Sequence, residues 1–160
     1  MPEYSVNVSA TSNVTLNTED TFIELSVNPL KIKYVRARIG NLTTLATGGL
    51  DNDWAIRLVR KTAGGATGTG GTAVRRKQSD RASGATVTVK NGTNAFSTAT
   101  LGDIVDVSIK NGRETFEWVA RDEIDYIEVH PTLGSGGMFA VLITSGVASQ
   151  VFEVSCSWEE

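Results

Sequence analysis

Apolar and polar residues alternate with a period of two along most of this chain, the spacing of strands that bury one face. YVRARI sets Val35, Ala37 and Ile39 against Arg36 and Arg38, and WAIRLV sets Trp54, Ile56 and Leu58 against Ala55 and Arg57. TFIELSV divides into Phe22, Glu24 and Ser26 on one face and Ile23, Leu25 and Val27 on the other. ATVTVK alternates Val87 and Val89 with Thr86 and Thr88, and DIVDVSI places Val105, Val107 and Ile109 opposite Ile104, Asp106 and Ser108. ETFEWVA sets Phe116 and Trp118 against Glu117, and the final VFEVSCSW gathers Phe152, Val154, Cys156 and Trp158 on one face.

Turn chemistry agrees with these strands. Asn111-Gly112, between DVSIK and RETFEW, predicts a hairpin because both residues tolerate the positive φ of a type I′ turn. Asn91-Gly92 predicts a second turn, and glycine-rich breaks at Gly48-Gly49, Gly64–Gly71 and Gly134–Gly137 separate other strands. Helical patterns are weak. RDEIDYIEV fits a strand as well as a helix, and VRRKQSDRA offers one apolar position at Val74 before its closing Ala82. About eight to ten strands, spaced near a dozen residues apart, predict an all-β chain folded as a two-sheet antiparallel β-sandwich. Residues 1–20 form an N-terminal arm or a first strand, and 21–160 form a single β-sandwich domain.

Composition supports one ordinary globular domain. The chain has 160 residues, 40% of them hydrophobic and 21% charged, long enough to bury a core without staples. The net charge of −3 hides a strong asymmetry. Lys31 to Arg81 carries eleven Lys/Arg and three Asp/Glu, whereas the remainder carries four Lys/Arg and fifteen Asp/Glu. Such asymmetry marks either a nucleic-acid face or surfaces of opposite sign that meet each other. The acidic total and the lack of aromatics among the cations favour the second. The single cysteine, Cys156, rules out an internal disulfide framework and a cysteine-based metal site. The N-terminus has no basic-then-apolar leader, and no apolar run approaches the roughly 18 residues of a membrane span, so no membrane partner is expected.

TAGGATGTGGTAVRRK, Thr62 to Lys77, follows a strand and looks at first like a phosphate cradle. Gly65 and Gly70 have P-loop spacing, but Gly71 stands where the phosphate-binding lysine belongs. Gly68, Gly70 and Ala73 meet the dinucleotide pattern, yet no good helix follows to hold a pyrophosphate. The stretch reads as a pliable loop carrying Arg75, Arg76, Lys77 and Arg81 towards a neighbour. Without stacking aromatics nearby, nucleic acid is a poor partner for that cluster. His130 is the only histidine, and no G-x-S-x-G accompanies it. Cys156 falls on an apolar strand face, as a core thiol does. Asp51-Asn52-Asp53 opens like a calcium loop, but Ile56 and Thr62 occupy the places of its glycine and closing glutamate. Glu114 with Glu117, and Asp122, Glu123 and Asp125, read as charge on exposed edges before they read as paired catalytic carboxylates. No catalytic, cofactor-binding or metal-binding residues are assigned, no cofactor is implied, and the chain is not expected to be an enzyme.

KIKYVRARIG, then WAIRLVRKTAGGATGTGGTA, then a closing SQVFEVSCSWEE together resemble the small jelly-roll virion proteins of tailed-bacteriophage head-gene clusters, the decoration or cement proteins. The likeness spans Lys31 to Glu160 and lies in short motifs: a strand ending in Leu-Val-Arg-Lys-Thr, a Gly/Thr/Ala loop, and a final Trp-Glu-Glu. It implies a jelly-roll-like antiparallel β-sandwich, made in the host cytoplasm and placed on the capsid exterior of the virion. It implies two partners, the major capsid protein and the chain itself, as a homotrimer bridging capsid subunits. The expected interface residues are Arg75, Arg76, Lys77 and Arg81 of the basic loop, with Tyr4, Val6 and Val8 of a free N-terminal arm. A rival function is a virion-surface carbohydrate- or receptor-binding β-sandwich, which would need exposed aromatics. Trp54, Trp118 and Trp158 alternate with polar neighbours as core residues do.

Overall fold

The structure is a computed structural model that describes residues 1–12, 15, 17–40, 53–64, 68–92, 96, 101–112, 114–122, 124–131 and 137–160. Every helix or strand among the described residues is a β-strand, and no helix there is long and apolar enough to cross a membrane. The strands are β1 (Glu3–Thr11), β2 (Glu19–Ser26), β3 (Leu30–Ile39), β4 (Asp53–Lys61), β5 (Thr69–Gly70) and β6 (Val74–Arg75). They continue as β7 (Thr86–Val89), β8 (Leu101–Asn111), β9 (Phe116–Val119), β10 (Ile127–Val129), β11 (Met138–Ser145) and β12 (Val151–Glu159).

Two antiparallel sheets result. One runs β10-β3-β12-β1-β6, with β9 on the same side of β3 as β10, and the other runs β5-β7-β2-β11-β4-β8. The first strand pairs with the last, and the second with the last but one, so the ends of the chain nest as in a jelly roll. The sheets face each other across a core that the alternation predicts. Val35 and Ala37, Trp54, Ile56 and Leu58, and Phe152, Val154, Cys156 and Trp158 are all buried. Phe152 bridges the layers, meeting the Phe22 ring edge-on at 5.8 Å and Trp54 at 5.2 Å between centroids. Phe116 is buried and Trp118 packs partly against the core, with Glu117 exposed between them, as predicted.

Three expectations change. In β2, Ile23 pairs with Val141 and Thr21 with Leu142, leaving Phe22 opposite no residue. This bulge turns Phe22 and Ile23 into the same core instead of onto opposite faces. Glu24 is left on the outer face, where it is buried in an ion pair with Lys61 at 2.7 Å beside Val59, Ala140 and Leu142. A second bulge sits in β8, where Leu58 pairs with Asp106 but Val59 with Ile104. Val105 is the extra residue, so Ile104, Val107 and Ile109 share the outer face while Asp106, Ser108 and Lys110 oppose the inward-facing Leu58, Ile56 and Trp54. Finally, Asn111-Gly112 does not close a hairpin. The turn forms, with Glu114 N–H donating to Asn111 O at 2.9 Å, but β8 pairs with β4 in one sheet and β9 with β3 in the other.

Candidate functional site

The basic loop is built along one lateral edge of the sandwich. β6 adds to the outside of β1, pairing Val74 with Ser5 and Arg75 with Tyr4. Arg76 continues this by donating its N–H to Glu3 O at 2.9 Å, and its guanidinium pairs with the Glu3 carboxylate at 2.7 Å. Glu3 is also 3.8 Å from Lys33, whose ammonium bonds Glu159 at 2.9 Å. That bond to Glu159 holds the Lys33 pKa above its ordinary value despite partial desolvation. Arg75 Nη1 donates to Asp80 O at 2.8 Å, closing the loop on itself. Arg75, Arg76, Lys77 and Arg81 are all exposed, as the sequence reading requires of them. On the opposite layer the same edge is formed by β5 and β7, joined to the loop where Gly71 N–H donates to Val87 O at 2.9 Å.

The N-terminal part of the expected interface is corrected. Tyr4 and Val6 are buried in the core and Val8 packs against it, because β1 is paired on both sides, by β12 and β6. Tyr4 stacks on Trp158 at 6.0 Å and its hydroxyl donates to Arg81 O at 2.9 Å. It therefore serves to anchor the basic loop, not to reach a partner. The signal was present in YSVNVSA, where Tyr4, Val6, Val8 and Ala10 alternate with Ser5, Asn7 and Ser9.

Beyond the cations the loop is clamped to the chain's last residue. Glu160 accepts from Ser83 Oγ, from Ala85 N–H at 3.2 Å and Trp158 Nε1–H at 3.2 Å, and from Gly84 N–H at 2.9 Å and Asn28 Nδ2–H at 3.3 Å. Burial pushes this carboxyl up, but the hydrogen bonds from Ser83, Gly84, Trp158 and Ala85 outweigh it and hold its pKa below the ordinary value. The basic loop is thus a braced platform. Its backbone is tied down at Glu3, Tyr4 and Glu160 while its cationic tips face water.

The opposite lateral edge is formed by β8 in one sheet and by β9 and β10 in the other, linked by Arg60, which donates to Glu128 O at 2.9 Å and lies 3.7 Å from Asp103. Most of the exposed large apolar side chains among the described residues collect here. Ile104 (54%), Val107 (59%) and Ile109 (71%) stand on β8, Val119 on β9, and Ile124 in the connection to β10. Asp103 lies beside Arg60 here, while the exposed Glu117 and Glu128 stand on the other sheet, paired across from Arg36 and Lys31. This apolar surface escaped the sequence reading because the alternation in DIVDVSI resembles a core face, and only the edge position of β8 exposes it.

The remaining candidates come apart. Gly68 packs under Thr88 and Phe96, so its lack of a side chain is explained by close packing. Gly65, and Asp51 and Asn52 of the possible calcium loop, lie outside the described residues, as do Gly134 and Glu123. Among the described residues no three His, Cys, Asp or Glu side chains converge as metal ligands. His130 stands at a cleft of about 450 Å³ whose walls, among the described residues, include Leu30, Lys31, Arg60 and Val129 and contain no serine or cysteine. Cys156 is fully buried, and desolvation raises its thiol pKa far above the ordinary value. Trp54 and Trp158 are buried, so neither forms a sugar platform. Comparison of the chain with family models, with curated proteins and with solved structures returns no match.

Proposed function

We propose that this chain is a structural virion protein, a capsid decoration or cement protein that binds the outside of a phage head as an oligomer and ties neighbouring major capsid proteins together. Support comes first from the resemblance carried by WAIRLVRKTAGGATGTGGTA and the closing SCSWEE. The observation that carries the reading is β8, the last strand of its sheet, on whose outer face Ile104, Val107 and Ile109 are all exposed beside Arg57 of β4. Scattered single apolar residues are normal on a surface, but a contiguous set rimmed by charge marks a protein contact. A rigid sandwich held by nested strand pairing suits a clamp that must resist expansion of a shell. In this reading the protein is made in the host cytoplasm and acts on the capsid exterior, with the major capsid protein and further copies of itself as partners.

The test is co-sedimentation of the purified chain with empty shells assembled from the major capsid protein of the phage that carries it. Saturable binding to the outer surface, with a rise in the temperature at which the shells rupture, is the expected result. Shells that neither retain the chain nor gain heat resistance would overturn the proposal.

A further inference from the structure

We infer that Asp20 and Lys90 form a site of covalent self-modification, an amide bond between the two side chains that staples β2 to the segment following β7.

The fold brings these groups together and holds them still. Asp20 lies in β2 across from Ile143 of β11, and Lys90 is the residue that follows β7. Backbone bonds fix the chain at both residues. Lys90 N–H donates to Phe22 O at 3.0 Å, Thr11 N–H donates to Gly92 O at 3.1 Å, and Thr21 N–H donates to Phe96 O at 3.0 Å. Lys90 Nζ then stands 3.3 Å from Asp20 Oδ1, with both side chains at most 2% exposed.

As an ion pair this contact is poorly matched. Two ions taken out of water are repaid only by close geometry and by further hydrogen bonds to their remaining lone pairs and protons. Asp20 Oδ2 accepts no hydrogen bond among the described residues, although it is buried. Lys90 Nζ lies 5.8 Å from the centre of the Phe22 ring, so an apolar surface flanks it. Another buried pair gives the contrast. Lys61 and Glu24 meet at 2.7 Å, within the roughly 2.7–2.9 Å of a charge-assisted bond, which the Lys90–Asp20 contact exceeds. Desolvation lowers the Lys90 pKa, outweighing the attraction of Asp20 that raises it. A lysine in such a place gives up its proton more readily than one in water and then offers a nucleophilic lone pair.

The reaction balances within the pair. One ammonium proton passes to the carboxylate, leaving a neutral amine and a carboxylic acid. The Nζ lone pair attacks Asp20 Cγ, one bond beyond Oδ1, and the C–N bond forms. A C–O bond breaks, and that oxygen leaves as water, carrying the carboxylic proton and one proton from nitrogen. No co-reactant is consumed. Separate amines and acids resist this condensation in water, but groups fixed about 3–3.5 Å apart react with effective molarities of roughly 10⁵–10⁸ M. The product is neutral, so two buried charges and one buried acceptor oxygen disappear together. The bond closes the long loop from Asp20 to Lys90, the kind of cross-link that most restricts an unfolded chain. With Cys156 as its single cysteine, the chain can make no internal disulfide to do the same.

Mass spectrometry of the purified full-length chain reads the bond directly. The expected mass is lower than that of the unmodified chain by one water. Digestion should yield a branched peptide joining the Asp20 segment to the Lys90 segment, with no tryptic cut after Lys90. Lys90→Arg and Asp20→Ala should each restore the unmodified mass. A wild-type chain at the unmodified mass would overturn the inference, and so would a water loss mapped to other residues, such as Lys61 and Glu24. The wild-type spectrum decides alone, so a variant that fails to fold leaves the test intact. The cross-link needs no capsid partner, and its absence would leave the capsid reading standing.

Discussion

Two carboxylates show how environment decides what a single residue does here. Glu24 is buried on the outer face of a sheet and pairs with a fully buried Lys61, so each ion is tolerable only because of the other. Glu160 is half-buried and accepts five hydrogen bonds, three of them from the segment Ser83–Ala85, so it closes the basic loop on β12. Its folded pKa lies below its unfolded one. Its contribution is therefore fully present above the ordinary carboxylate pKa and is lost as pH falls through the folded value. Glu160→Gln is expected to lower stability at pH 7 by about 1–2 kcal/mol, after allowance for partial exposure to water. The gap from wild type should shrink steadily as the medium is acidified below the carboxylate range. Thermal melts of both proteins across that range check this, and a gap that stays constant with pH would assign the loss to packing instead of charge.

Strands show which elements the sequence made legible. Within regularly paired runs alternation placed the core residues correctly, as for Val35 and Ala37, for Trp54, Ile56 and Leu58, and for Phe152, Val154 and Cys156. Where a bulge inserts one residue, alternation beyond it inverts, and nothing in TFIELSV or DIVDVSI marks where the insertion falls. The Asn111-Gly112 turn was legible as a turn, but not its destination, because the same geometry joins two strands of one sheet or crosses between sheets. The glycine-rich loop repeats this lesson. Its glycines looked like one chemical motif, yet a Cβ on Gly68 would lie 2.4 Å from Thr88 Cγ2 and 2.7 Å from Phe96 Cζ, while one on Gly70 would meet nothing within 4 Å. Gly68→Ala is expected to cost about 1–3 kcal/mol by overpacking. Gly70→Ala should stay within about 0.5 kcal/mol of wild type. Denaturant midpoints of the two variants separate a packing glycine from a spacer, and equal losses would contradict the contrast.

At the scale of the whole molecule, the charge asymmetry visible along the chain is largely mixed by the fold, since Lys31, Lys33, Arg36 and Arg38 of β3 lie beside β9 and β10, and Arg57, Arg60 and Lys61 of β4 lie beside β8. Residues 74–82 carry β6, at one end of its sheet, while 101–130 carry β9 and β10 at the other end of that sheet and β8 at the end of the second sheet. The basic character of residues 74–82 was legible, while their position and the exposed apolar residues of β8 needed the fold. The exposed Arg75, Arg76, Lys77 and Arg81 act on a neighbour before contact, because the field of such a cluster extends about one Debye length into solution. That length shrinks from about 14 Å near 50 mM salt to about 4–5 Å near 500 mM. Self-association should accordingly weaken severalfold in Kd across that range, without vanishing, because burial of Ile104, Val107 and Ile109 does not depend on screening. Sedimentation velocity at fixed protein concentration measures it. Association that strengthens with salt would mean that the apolar face of β8 carries the contact and the cations of the basic loop oppose it.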